Sequence, residues 1–440
     1  MRFVLDVLYL LAALAYSPVI IYRAVRHKRY RTGWAQRFGR VSRRSPAGKC
    51  IWLHAVSVGE VNAAKTIVEE LAKRFGDFEI VVSTTTDTGF ARATSLFGKH
   101  HEVFYFPFDF SCVMHRAFKN IRPAICLLME LEVWPNFVGL AQRRNVPVVV
   151  VNGRISDKSF SRYQRIRPFA RSVFRKVRLV LAQTEEYAER FRAIGTAAEN
   201  VVVTGSLKYD TAQIADKVEG TDALAAQLDF GGERLWGAGA TGPGEEKIIL
   251  DVFSQLKRSG RFEDLRLAIV PRKPERFDEV AQLIEQSGFN LIRYSEVKKK
   301  APETTEKSKI ENRKSKIDVV ILGDTMGDLR KFYCLATVIF VGRSLVPMGG
   351  SDMMEAAALG KCTIFGPHAF NFKQTVDSLL ADEGAILVND EHELLQAMQK
   401  CLLEPEYADR IAHRGREVIR KNQGATAKSI ERIAGILGKP

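Results

Sequence analysis

Three glutamates stand where apolar, strand-like runs give way to helical patterns. Residues 51–56 alternate and are β-prone, and the run closes in the segment His54-Ala-Val-Ser-Val-Gly-Glu60. Gly59 permits a tight turn, and Val61, Ala64, Val68, Leu71, Ala72 and Phe75 then recur at helical spacing. Glu60 therefore marks a strand-to-helix junction, the edge of an open α/β sheet where ligands bind. A carboxylate there can accept a proton, and a helix start keeps it ionised through the macrodipole. The same position suits a glutamate that only favours the helix, so both readings stand at Glu60 taken alone. A second apolar run, 124–128, leads into Met129-Glu130-Leu131-Glu132-Val133-Trp134-Pro135-Asn136. Carboxylates at such a strand end are expensive to desolvate without a function or a cationic partner. Lys208, in Gly205-Ser-Leu-Lys-Tyr-Asp210, closes this half of the chain. Its ammonium can counter phosphate charge or lie on the surface above its own apolar stem.

The second half offers loops suited to a nucleotide. Pro271-Arg272 follows the run 267–270, placing a guanidinium at a strand end, where its fork matches a phosphate. Asp324-Thr-Met326-Gly327-Asp328 follows 319–322 and opens a helix whose amino end offers free N–H groups. Gly349-Gly350-Ser351-Asp352 enters a helix beginning Met353-Met354-Glu355, where Glu355 is placed to take ribose hydroxyls. Each loop is ordinary punctuation alone, and their repetition on one sheet edge is what carries weight. There is no P-loop.

The elements that must position these residues alternate throughout. Strands are expected at 51–56, 79–84, 102–106, 124–128, 146–151, 179–182 and 201–204. A second set follows at 235–238, 265–270, 319–322, 337–341, 362–365 and 385–388. Helical stretches lie between them, and several strands are continuous apolar runs, the mark of parallel strands buried on both faces. The expected fold is α/β, with two doubly wound Rossmann-like domains facing a cleft. The expected boundaries are an anchor and basic flank at 1–49, a first domain at 50–215, a second at 216–425 and a terminal helix at 426–440. A polar stretch, 210–233, separates the halves, and a lysine-rich stretch, 298–316, reads as a solvated loop insertion.

With 440 residues, 46% apolar and 27% charged, the composition is globular. Six scattered cysteines without a CxxC read as free thiols in a reducing compartment, and argue against zinc or a disulfide framework. The net charge of +15 concentrates between residues 23 and 49, which hold ten Lys or Arg and no acid. Residues 3–22, just before, are apolar except for Asp6 and Ser17, just long enough to cross a bilayer core. Most basic residues follow the run, unlike a cleaved signal peptide, and the positive-inside rule puts the bulk of the chain in the cytoplasm. This flank points to the anionic lipids of a membrane leaflet, with no nucleic acid partner.

In this order, the segments HAVSVGE (54–60), STTTDTGF (83–90), YFPFDF (105–110), MELEVWPN (129–136), NGRIS (152–156), VTGSLKYD (203–210), VPRKPERF (270–277), GDTMGDL (323–329), EAAALGK (355–361) and GPHAFNF (366–372) resemble the Kdo transferase family. Its members move 3-deoxy-D-manno-oct-2-ulosonic acid (Kdo) from CMP-Kdo to a lipid A precursor, lipid IVA. The resemblance runs from the anchor to about residue 425. It implies a GT-B fold with an amino-terminal membrane-anchor helix, an inverting and metal-independent mechanism with no cofactor beyond the donor substrate CMP-Kdo, and action at the cytoplasmic face of the inner membrane. Glu60 matches the family's catalytic base, and Glu130 and Lys208 match residues that stabilise the transition state. Pro271, Arg272, Met326, Gly327, Asp328, Asp352, Met353, Met354 and Glu355 match its CMP-binding segments. The chain departs from the family in reading GGSDMME for GGHNPLE, in Asp328 for the usual Glu, in Ala240-Thr-Gly-Pro-Gly244 for a stretch rich in Ser, Thr, His and Glu, and in a longer 298–316 insertion. The rivals are a UDP-sugar enzyme of the same fold and a non-catalytic membrane scaffold.

Overall fold

The computed structural model describes residues 2–26, 32–45, 48–299 and 319–438. Two compact units emerge, Met1–Thr211 joined by Asn422–Pro440, and Ala212–Lys421. The first unit holds β1 (Lys49–His54), β2 (Phe78–Thr84), β3 (Glu102–Tyr105), β4 (Pro123–Met129), β5 (Val148–Gly153), β6 (Leu179–Ala182) and β7 (Val201–Val203). They form one parallel sheet in the order β3-β2-β1-β4-β5-β6-β7. The order reverses between β1 and β4, and this switch point leaves a crevice outside the strands' carboxyl ends. Glu60 follows β1 and Glu130 follows β4, so both flank it.

Burial on both faces explains the apolar runs. On β1, Cys50 and Trp52 face one core with Phe104, Phe118 and Phe137, while Ile51 and Leu53 face another with Ile67, Leu71 and Val82. The terminal helix Ala425–Leu437 places Ala425, Ile430, Ile433 and Ala434 in that second core, so the chain crosses back onto the first unit.

The second unit holds β8 (Arg234–Thr241), β9 (Leu265–Pro271), β10 (Asn290–Arg293), β11 (Val319–Leu322), β12 (Val338–Val341), β13 (Cys362–Phe365) and β14 (Ile386–Leu387). Its parallel sheet runs β10-β11-β9-β8-β12-β13-β14, with its switch point between β8 and β12. Strand β10 escapes sequence reading because it is a short, half-exposed edge without an apolar run. The 210–233 stretch is not free of structure: Thr221–Gln227 is a helix that buries Leu224. The units divide a few residues before the expected 215/216 boundary, and the 298–316 insertion lies almost wholly outside the described residues.

The amino-terminal segment forms a helix, Arg2–Arg26, yet among the described residues no helix is long and apolar enough to cross a membrane. Its polar residues are committed to the first unit. Asp6 accepts hydrogen bonds from the Ser111 N–H at 2.9 Å and Asn136 Nδ2 at 3.0 Å, and Tyr9 donates to Asp109 at 3.0 Å. Only the first turns are docked, through Leu5, Asp6 and Tyr9, while residues 10–16 are exposed on every side, which corrects a spanning segment to a helix tied to the first unit at its start. Part of the basic flank, residues 27–31 and 46–47, lies outside the described residues.

Candidate active site

Glu60 is built into a helix cap. Ser57 caps Val58–Arg74, accepting the Glu60 N–H, and its hydroxyl donates to Glu60 Oε1 at 2.9 Å. The Val56 N–H, one residue before the cap, donates to Oε2, also at 2.9 Å, so both carboxyl oxygens are held at the helix start. The expected ionised glutamate is corrected by burial, which raises its pKa to about 7 against the hydrogen bonds from Val56 and Ser57, with Glu130 and Glu132 adding repulsion. Desolvation outweighs the helix end because the carboxylate has partly left water, while the dipole contributes only a few tenths of a kcal/mol to about 1. The result is a carboxyl able to exchange a proton near neutral pH.

Glu130 adopts φ 53°, a left-handed conformation that non-glycine residues seldom take. Its N–H donates to the Val151 carbonyl at 2.9 Å, so the bend is held by β5. Such strain costs on the order of 1–3 kcal/mol and collects at functional sites. Glu132 accepts from Trp134 Nε1 at 3.0 Å, and burial followed by Glu130 repulsion raises its pKa. His54, in the same segment, is the last residue of β1. It is fully buried and stacks on Phe106 at 3.8 Å, and burial lowers its pKa to about 3. Nδ1 lies 3.0 Å from the Ser83 carbonyl, which can only accept, so Nδ1 carries the proton. Nε2 is therefore a lone pair, 3.9 Å from Glu132.

Lys208 lies on the short helix Leu207–Thr211, which packs against the Glu60 helix. Asn152, a second strained non-glycine residue at φ 56°, orients it by accepting the Leu207 N–H at 3.1 Å. An Asn at a strand end, tolerant of positive φ, was the signal available for that role.

In the second unit the donor candidates divide. Burial and then Asp352 raise the Glu355 pKa, while Arg330 and Arg272 lower it, so these four groups share one electrostatic neighbourhood. Arg272 is exposed after the buried Pro271. Tyr333, buried with an unpartnered hydroxyl, feels the same Glu355, Asp352 and Arg272. Neither Arg330 nor Tyr333 stood out in the sequence, since both sit inside an ordinary helix, Leu329–Leu335. Met353 and Met354 are buried, so their side chains serve the core. Asp328 is saturated by Lys298 at 2.6 Å, Thr325 at 2.7 Å and Lys331 at 2.8 Å. Burial alone would raise its pKa, but the hydrogen bonds hold it at about 2. Met326 and Gly327 remain exposed beside it, with Gly327 at φ 90°.

The loops at the second switch point are tied by Glu245. Its carboxylate accepts N–H groups from Gly242 at 3.0 Å, Ser344 at 2.7 Å, Leu345 at 2.9 Å and Arg343. Gly349, at φ 92°, leaves no room for a Cβ against Asn371. Among the described residues, no group of three or more His, Cys, Asp or Glu is arranged to hold a metal ion.

Residues 32–211 match the family model described as 3-deoxy-D-manno-octulosonic-acid transferase (kdotransferase). The chain is 33% identical to the 3-deoxy-D-manno-octulosonic acid transferase of Haemophilus influenzae, covering 93% of this chain and 92% of that protein. It is 31% identical to the transferase of that name from Bordetella pertussis, over 91% of each. In fold it is similar to a glycosyltransferase from Rickettsia africae, with a TM-score of 0.55 at 14% identity, covering 89% of this chain and 99% of that one. A UDP-GlcNAc 2-epimerase from Neisseria meningitidis gives a TM-score of 0.54 at 13% identity, covering 88% of this chain and 100% of the other.

Proposed function

Because the chain belongs to the 3-deoxy-D-manno-octulosonic acid transferase family and is thus a glycosyltransferase, we propose that it moves Kdo from CMP-Kdo to a lipid A precursor, with inversion and without a metal. The observation that carries this reading is the Glu60 carboxyl, half-buried at the first switch point with its pKa raised to about 7. An inverting transfer needs one base. Glu60 takes the proton of the acceptor hydroxyl as that oxygen bonds to the anomeric carbon and the bond to CMP breaks on the opposite face. Glu130, held bent by β5, is the carboxylate nearest in role, stabilising positive charge that develops on the sugar.

The CMP leaving group departs with negative charge. Arg272 and Lys208 supply cations for it, and Glu355 is placed to accept from ribose hydroxyls. Asp328 instead braces the loop that presents Met326 and Gly327, and Asp352 accepts the Met354 N–H at 2.9 Å, shaping the start of the Glu355 helix. We place the protein at the cytoplasmic face of the inner membrane, with the apolar side of Arg2–Arg26 lying in the lipid interface and the basic flank on anionic headgroups.

The test is direct. Membranes containing the protein, given CMP-Kdo and lipid IVA, should yield a product heavier by Kdo in mass spectrometry. Absence of that product, with UDP but not CMP stabilising the protein against heat, would favour a UDP-sugar enzyme of the same fold.

A further inference from the structure

We infer that the cavity beside the Glu130–Trp134 turn seats one acyl chain of the acceptor, and that Trp134, Phe169 and Val173 select which chains enter; this deepens the reading that the acceptor is a lipid. The cavity measures about 350 Å³ and lies wholly within the first unit. Leu131, Val133 and Trp134 line one side, and Phe169, Val173 and Phe174 of the helix Arg167–Phe174 line the other. Glu132, two residues beyond Glu130, stands in its wall. Trp134 is 40% exposed although apolar, with its Nε1 turned to Glu132.

Two features identify the occupant. Such a lining suits a hydrocarbon better than a sugar, because its polar side chains are few: Tyr9 already donates to Asp109, Glu132 already accepts from Trp134, and Tyr163 is the remaining hydroxyl. An apolar strip also runs on from the cavity. A second hollow of about 270 Å³ shares Pro135, Phe169 and Val173 with the first and reaches Leu5 of the helix Arg2–Arg26, with Asn136, Gln142, Arg143 and Lys176 along its other side. Leu8, Leu11 and Leu14 continue that helix's exposed apolar side. A chain attached to the reacting headgroup thus has an apolar track from the helix to the turn that carries Glu130.

The experiment measures kcat/KM for two acceptors with the same headgroup, one bearing long acyl chains and one trimmed to short chains. Val173→Trp fills the cavity and should lower the long-to-short ratio about tenfold, the scale on which an apolar pocket discriminates. Val173→Ala, the milder change, should raise the ratio. Equal loss on both acceptors, or an unchanged ratio in both variants, would overturn the assignment. A long-chain acceptor brominated near the chain end should quench tryptophan fluorescence in the unaltered protein but not in Trp134→Phe, and quenching that survives in Trp134→Phe would also overturn it. Transfer to neither acceptor by the unaltered protein would refute the functional reading, while the quenching would still report whether the cavity holds a chain.

Discussion

Glu60 shows how one residue serves two purposes. Its bonds from Val56 and Ser57 fix its rotamer, and desolvation beside other carboxylates keeps its proton affinity high. As the base it must be deprotonated, so kcat/KM should rise with pH and level off above about 7. Glu60→Gln keeps the size but cannot accept a proton, so transfer should fall on the order of 10²–10⁴-fold. Stability carries the opposite sign. The folded pKa exceeds the unfolded one, so this group's contribution is fully present below about 4.5 and is lost as pH rises through 7. The melting temperature of Glu60→Gln relative to the unaltered protein should therefore climb across that window, and a flat difference would mean the carboxyl is not shifted. Arg272 is exposed and bonded through its backbone to Thr241, so its side chain adds little to the fold. Arg272→Ala should weaken CMP-Kdo use by about 2–3 kcal/mol if the guanidinium meets the donor, with the melting temperature unmoved. Unaltered kinetics would remove Arg272 from the site.

At the scale of elements, the candidate residues cluster where strands end and the chain must turn sharply. Glu130, Asn152, Ala240 and Arg343 all take positive φ at or just after the ends of β4, β5, β8 and β12. These turns persist because neighbours over-determine them. Glu245 is the clearest case, holding the loops after β8 and β12 with one carboxylate whose pKa burial raises despite four backbone donors. Glu245→Ala would strand those N–H groups and should destabilise the protein by about 3–5 kcal/mol. A urea midpoint close to that of the unaltered protein would show that water replaces the carboxylate at little cost.

For the molecule as a whole, the amino-terminal helix is tied to the site-bearing unit by its first turns. Asp6 and Tyr9 bond to Ser111, Asn136 and Asp109, and Asp109 in turn accepts the Asn136 and Phe137 N–H groups at the start of the helix after Glu132. Deleting residues 2–22 should release the protein from membranes on high-salt washing, with a melting temperature lowered by the loss of these bonds, each worth about 1 kcal/mol. Retention in the washed membranes would assign attachment to another surface. The terminal helix Ala425–Leu437 closes the first unit from the far end of the chain, and Asp210 accepts its Gly424 N–H at 2.7 Å. A polar link at such separation has no local sequence signature.

Much of this was legible in the sequence because it rests on local physics. Runs such as 179–182, 319–322 and 362–365 coincide with β6, β11 and β13, since apolar β-prone stretches between turn residues have few other folds open to them. The carboxylates at 60 and 130 could be read as strand-end groups for the same reason. Tertiary structure alone decided what depends on residues distant in the chain. It half-buried Glu60 and moved its proton affinity, aimed the His54 lone pair at Glu132, and brought Arg330 and Tyr333 beside Glu355. It also spent Asp328 on two lysines, packed Met353 and Met354 into the core, and drew Asp6 out of a would-be membrane span. Desolvation and charge–charge energies depend on which groups meet in space, and sequence spacing does not encode that.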